Sequence, residues 1–112
     1  MQVLKIDVGV HTAKKFDLSQ VDFERVESII FTVKNGTDDS FPEIIRREIK
    51  QNELVNGRYN AVITCEESLQ LTRGAVYDFV KKLDNGECYK LGRGNGTVEL
   101  VYGVGRCTSA SK

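Results

Sequence analysis

Short apolar runs alternate with clusters of glycine, asparagine and aspartate, and this rhythm sets what the chain can fold into. Val26 to Lys34 (VESIIFTVK) places Ile29, Phe31 and Val33 on one face and Ser28 and Thr32 on the other. A period of two is the mark of a strand with one buried face. Asn35 to Ser40 (NGTDDS) then gathers residues that bond their own backbone or accept positive φ, which makes a turn. Arg58 to Thr64 repeats the alternation with Tyr59, Ala61 and Ile63, entered from the turn pair Asn56-Gly57. Ala75 to Leu83 and Glu87 to Leu91 flank Asp84-Asn85-Gly86, the pattern of a β-hairpin. Thr97 to Val104 alternates as a last strand, and Val3 to Val8 does so more weakly as a first. One or two short strands fit the spacing of Phe16, Leu18, Val21 and Phe23.

Ser40 to Lys50 (SFPEIIRREIK) is the ambiguous stretch. Ser40 and Glu43 match a capping box, Pro42 suits a first helical turn, and Ile45 and Ile49 are four apart, which predicts one short helix near residues 41–50. Its short length and strand neighbours favour a strand instead, so both readings stand open. The strand count and turn spacing give a mostly β fold, a sandwich or small barrel. We expect one domain over residues 1–107 and a flexible polar tail over 108–112 (TSASK).

Charge narrows the function. The 112 residues carry 16 Lys+Arg against 16 Asp+Glu, so no cationic surplus exists for a polyanion, and no nucleic-acid partner is expected. No run of about 18 apolar residues occurs, and Lys5 and Asp7 interrupt the first apolar stretch, so neither a membrane partner nor a signal segment is expected. The expectation is a chain that is cytoplasmic at synthesis.

Residues for catalysis or metal binding are sparse. Cys65, Cys88 and Cys107 form no C-x-x-C pair and are too few for a disulfide framework. Cys65 reads as a small buried hydrophobe. His11 reads as a solvated side chain, and nothing in the sequence brings it to a thiol. Leu91 to Gly96 (LGRGNG) matches no phosphate-binding pattern and reads as a turn; Gly103, Gly105 and Arg106 read as a strand end. Asp38-Asp39 and Glu66-Glu67 are adjacent carboxylates that would point to opposite faces or to water. The triplets at Asn35 and Asn95 read as turns. Tyr59, Tyr77, Tyr89 and Tyr102 each fall in an apolar run, so packing accounts for them. Lys14-Lys15, Arg46-Arg47 and Lys81-Lys82 read as solvated faces or guards on edge strands, answered by nearby acids. No catalytic, cofactor-binding or metal site is expected, and no cofactor.

Three stretches taken together carry a family resemblance. Ser28 to Lys34 (SIIFTVK), Tyr59 to Leu71 (YNAVITCEESLQL) and Arg73 to Gly92 (RGAVYDFVKKLDNGECYKLG) resemble a small immunoglobulin-like β-sandwich of tailed phages and prophages of Gram-positive bacteria. The family pattern has a strand ending in FTVK, a strand followed by E-x-[ST]-x-x-L, then G-x-Y-x-Y-D-[IF], an Asp-Gly turn and a glycine before the last strand. It is similar to the N-terminal domain of upper baseplate proteins, over about Ile29 to Gly105. The resemblance implies an antiparallel immunoglobulin-like sandwich of about seven strands. Glu67, Ser68 and Leu71 would form the corner before Gly74, Tyr77-Asp78-Phe79 the core strand and Asn85-Gly86 the hairpin tip. It further implies a non-enzymatic structural protein of the tail or baseplate region, assembled into the virion, with itself as a homo-oligomer and other phage structural proteins as partners. The alternative is a monomeric binding or adaptor module whose end loops, Thr37 to Phe41 and Gly92 to Thr97, grip a protein or glycan. A small enzyme using Cys65 or Cys107 with His11 is the third reading.

Overall fold

A computed structural model describes residues 3–91 and 96–103. Among them are eight strands: β1 (Val3–Val8), β2 (Thr12–Asp17), β3 (Val26–Lys34), β4 (Glu43–Ile49), β5 (Arg58–Ile63), β6 (Val76–Leu83), β7 (Cys88–Lys90) and β8 (Gly96–Tyr102). One short helix, α1 (Cys65–Leu69), joins β5 to β6, and a 3-10 turn spans Gln51–Glu53. The fold is mostly β, as the alternating runs predict.

The strands form two sheets. The larger follows the order β1-β8-β6-β3-β4 with β7 also paired to β6, and the smaller is the pair β2-β5. A two-stranded sheet is marginal alone and persists by packing its apolar face on a larger surface. Phe31 of β3 supplies that contact. It is fully buried, and its ring centroid lies 5.0 Å from Phe16 of β2 and 5.0 Å from Phe79 of β6. Ile29 and Val33 on the same face of β3, Leu4 and Ile6 of β1, Ile45 and Ile49 of β4 and Ile63 of β5 complete the core.

Several expectations change. The wholly antiparallel arrangement fails at one edge, where β1 runs parallel to β8 with Val3 opposite Thr97 and Val8 opposite Tyr102. The ambiguous segment is a strand: β4 pairs antiparallel with β3, and Ile45 and Ile49 reach the core from one face, so no helix forms near residues 41–50. The residue between them on that face is Arg47, a charge whose inward place blurred the strand pattern. Cys65, buried as expected, opens a short helix that the alternation did not predict. The signal lay in Thr64 and Glu67, which form a capping box: Glu67 N–H donates to Thr64 Oγ1 (3.1 Å) and Thr64 N–H to Glu67 Oε1 (3.0 Å). Thr12–Asp17 forms the second strand, so it ends just where the expected apolar spacing began, and Leu18 packs into the core from the loop. Tyr77 is buried, but Tyr89 and Tyr102 are 49% and 55% exposed, so packing does not account for all four tyrosines.

The turns behave as their residues dictate. Asn56 and Gly57 both take positive φ (54° and 76°), the two-residue turn that joins Val55 to Arg58 through paired backbone bonds. Gly86 takes φ 92° at the tip between β6 and β7. Gly96 answers a different demand. A Cβ there would lie 2.2 Å from the Tyr77 ring, so the glycine lets this tyrosine lie flat across β8. The turn expected over Leu91 to Gly96 falls mostly on residues 92–95, outside the described residues, as do Cys107, Gly105, Arg106 and the 108–112 tail.

Gly96→Ala should therefore lower stability by about 1–3 kcal/mol, the usual cost of forcing an extra carbon into a packed site. Gly103→Ala, with nothing within 4 Å of the added carbon, should leave stability unchanged. Thermal unfolding of the two variants checks this, and equal midpoints would refute the tyrosine contact.

Candidate functional site

One long side of the molecule is tied shut. Arg47, pointing inward from β4, donates through Nη2 to Glu67 Oε1 and Oε2 (2.7 and 2.9 Å) and to the carbonyl of Val62 on β5 (3.2 Å). It thus bridges the edge of the large sheet to the small sheet and to α1. Burial alone would raise the Glu67 pKa, but the Arg47 guanidinium and the Thr64 N–H outweigh it and hold the carboxyl below its ordinary value. Arg46 beside it is matched by Glu43 (3.6 Å) and Glu48 (3.5 Å), so the outer edge at β4 carries charges that discourage pairing.

The corner at α1 is equally closed. The Cys65 thiol is buried and donates to the Gly9 carbonyl (3.0 Å). Ser68 donates to the Cys65 carbonyl (2.7 Å) and accepts from Gly9 N–H (2.9 Å). His11 does reach this corner, across 54 residues of sequence, but as an acceptor: the Cys65 backbone N–H donates to its Nδ1 (2.9 Å). The ring satisfies a free amide of the first helical turn. It meets the Cys65 backbone rather than its thiol, so this arrangement holds the β1-β2 turn against α1. Cys88 is exposed on β7. No group of three or more His, Cys, Asp or Glu able to hold a metal occurs among the described residues. Glu66 and Glu67 diverge, one exposed and one on Arg47.

Among the described residues, the opposite long side is open. Between β1 and β2 runs a cleft of about 680 Å³ with a floor of Leu4, Phe16, Leu18, Tyr77, Phe79 and Leu91. Lys5, Lys14 and Lys15 line its rim with Asp17. The Asp17 carboxylate is already engaged, since the Ser19 hydroxyl (2.5 Å) and N–H (2.9 Å) donate to it and hold its pKa low. The three lysines make no ion pair among the described residues. The expectation that nearby acids answer the Lys14-Lys15 doublet therefore fails, whereas Lys82 does meet Glu27 (3.4 Å) and Arg47 meets Glu67.

Among the described residues, neither β1 nor β2 has a strand partner along its outer edge. Asp7 N–H turns away from β8 to Thr12 Oγ1 (3.1 Å), so by alternation the Lys5 N–H and C=O also point away from β8. On β2, Leu18 N–H bonds the Gly57 carbonyl (2.8 Å) in line with the β5 pairing, so Ala13 and Lys15 direct their backbone groups outward. Sequence reasoning missed this site. Its signal was an alternation of Thr12, Lys14, Phe16 and Leu18 that places a lysine on the inner face.

At one end of the molecule, a smaller recess of about 230 Å³ is lined by Thr37 and Asp39 of the β3-β4 loop with Lys34, Asp78 and Lys90. Phe41 lies against Gly36 and shapes this loop. Of the two expected binding loops, Thr37 to Phe41 is described and most of Gly92 to Thr97 is not.

Comparison with models of known protein families finds no match, and comparison with curated proteins finds none either.

Glu67→Gln should cost roughly 2 kcal/mol, the scale of a hydrogen bond to a charged group. Because the folded-state pKa lies below the unfolded one, this stabilisation is complete above the ordinary glutamate range and is lost as the pH falls through the lowered value. Denaturant unfolding across acidic pH should show the wild type converging on the variant at low pH; a constant gap would contradict the assignment.

Proposed function

We propose that the chain is a non-enzymatic structural or assembly protein of a phage or prophage particle, in the tail or baseplate region, built on an immunoglobulin-like sandwich. It works through protein–protein contacts, with other copies of itself and with other particle proteins. The strand order supports the sandwich reading. In variable-type immunoglobulin domains a sheet of strands G, F, C and C′ faces one containing B and E. Here β8-β6-β3-β4 faces β2-β5 in that order, with β1 added in parallel to the last strand. The phage setting follows from the resemblance of Ser28–Lys34, Tyr59–Leu71 and Arg73–Gly92 to the phage tail family.

The observation that carries the contact function is the contrast between the two long sides. One is fastened by Arg47 and guarded by Arg46, while on the other, among the described residues, β1 and β2 have no strand partner on their outer edges over an apolar floor. Unpaired edges invite another chain unless guarded. No helix among the described residues is long and apolar enough to cross a membrane.

A second reading is favoured by the polar recess beside Thr37 and Asp39, which suits an end-loop binding module acting as a monomer. Light scattering coupled to size exclusion across a wide concentration range separates the two. The structural reading predicts a discrete symmetric oligomer that survives dilution. A strict monomer at high concentration would contradict self-assembly and direct attention to Thr37 and Asp39.

A further inference from the structure

We propose that the cleft between β1 and β2 is a docking groove for an extended segment of a different protein, in which acidic residues alternate with apolar ones. The inference rests on the protein-contact reading only in taking the occupant to be a polypeptide.

Three observations define that occupant. First, the floor is apolar and aromatic, with the Phe79 ring meeting those of Phe16 and Tyr77 edge to face and lying against Phe31. Phe16 and Phe79 are only half-buried, so they retain surface to offer. A volume of about 680 Å³ accommodates a few side chains rather than a domain. Second, the outward N–H and C=O groups of Ala13 and Lys15 form the unused side of a ladder. An added strand supplies the missing partners, and its alternate side chains fall into the cleft. Third, Lys5, Lys14 and Lys15 stand on the rim without carboxylate partners among the described residues, while Asp17 is engaged by Ser19. Lys14 lies on the inner face of β2 with Phe16 and Lys15 on the outer face, so a strand laid along β2 with its apolar side chains over the floor turns its alternate, acidic side chains toward Lys15.

A second copy of this chain pairing through β2 is disfavoured on the same ground. An antiparallel pair of β2 edges centred on Lys14 or on Lys15 would set that lysine beside its counterpart, and like charges across a ladder repel. The guarded edge at β4, with Arg46 matched by Glu43 and Glu48, carries no comparable unmet charge. The site therefore selects by charge as well as by backbone pairing.

The test uses the full chain and a fluorescein-labelled heptapeptide, Glu-Val-Glu-Phe-Glu-Val-Glu. Anisotropy measures binding, and amide chemical shifts locate it. The peptide should bind in a salt-sensitive manner and shift the amides of Ala13 and Lys15, and its counterpart with lysine in place of glutamate should not bind. Two variants separate the contributions. Ala13→Pro removes one outward N–H on an edge strand, where proline is tolerated, and leaves every charge in place. Lys14→Glu with Lys15→Glu reverses the rim charge. Each should weaken binding by about tenfold or more while circular dichroism stays unchanged. No binding, binding unaffected by both variants, or shifts confined to the Thr37–Phe41 loop would overturn the proposal. Octanoate competing with the peptide while Ala13→Pro binds normally would overturn it too, since the cleft would then take an amphiphile without strand pairing. Light scattering on the same samples keeps the two readings apart: an oligomer that ignores the peptide refutes only the groove, and a monomer that binds it refutes only self-assembly.

Discussion

The contact of Phe31 with Phe16 is what makes two sheets into one molecule. The β2-β5 pair has too little ladder to persist alone, so its place depends on burying its inner face against β3 and β6. Phe31 is fully buried at the meeting point, 5.0 Å between centroids from a ring on each sheet. Burying such a side chain is worth roughly 2–3 kcal/mol, and the aromatic pairings add to it. The branched residues around it, Ile29, Val33, Ile45, Ile49 and Ile63, fill the remaining interlayer space without polar atoms.

From that centre the two long sides are treated differently. Toward β4 and β5 the gap is closed by a charged clamp, in which the Arg47 guanidinium donates across to the Glu67 carboxylate and the Val62 carbonyl. Toward β1 and β2 no equivalent clamp exists among the described residues, and Phe16 and Phe79 stay half-exposed along the cleft. The helix corner fixes the geometry between these sides. Gly9, His11, Cys65 and Ser68 exchange hydrogen bonds that anchor the β1-β2 turn to α1, so the separation of β1 from β2 is set by a rigid element.

Much of this was legible in the sequence where local pattern and tertiary demand agree. Val26–Lys34, Arg58–Ile63 and the Asp84-Asn85-Gly86 hairpin follow directly from alternation and turn chemistry. It failed where one residue serves two ends. Arg47 sits in a strand's inward row yet is charged, which left helix and strand undecided over residues 40–50. Thr64 and Glu67 start a helix only a few residues long, too short for periodicity to reveal. The parallel pairing of β1 with β8 joins the two ends of the chain, and no local signal encodes a partner that distant. The cleft escaped for a related reason: Lys14-Lys15 looks like any surface doublet until β1 and β2 are seen to border one space.

Among the described residues the molecule is closed on one long side and open on the other, and the contact role we propose rests on that asymmetry. Residue-resolved amide hydrogen exchange on the isolated protein tests it most directly. The outward amides of Lys5, Ala13 and Lys15 should exchange rapidly while those of Ile29 to Val33 in β3 remain protected. Protection of Ala13 and Lys15 equal to that of β3 would contradict the account, because the edge described as free would then be covered.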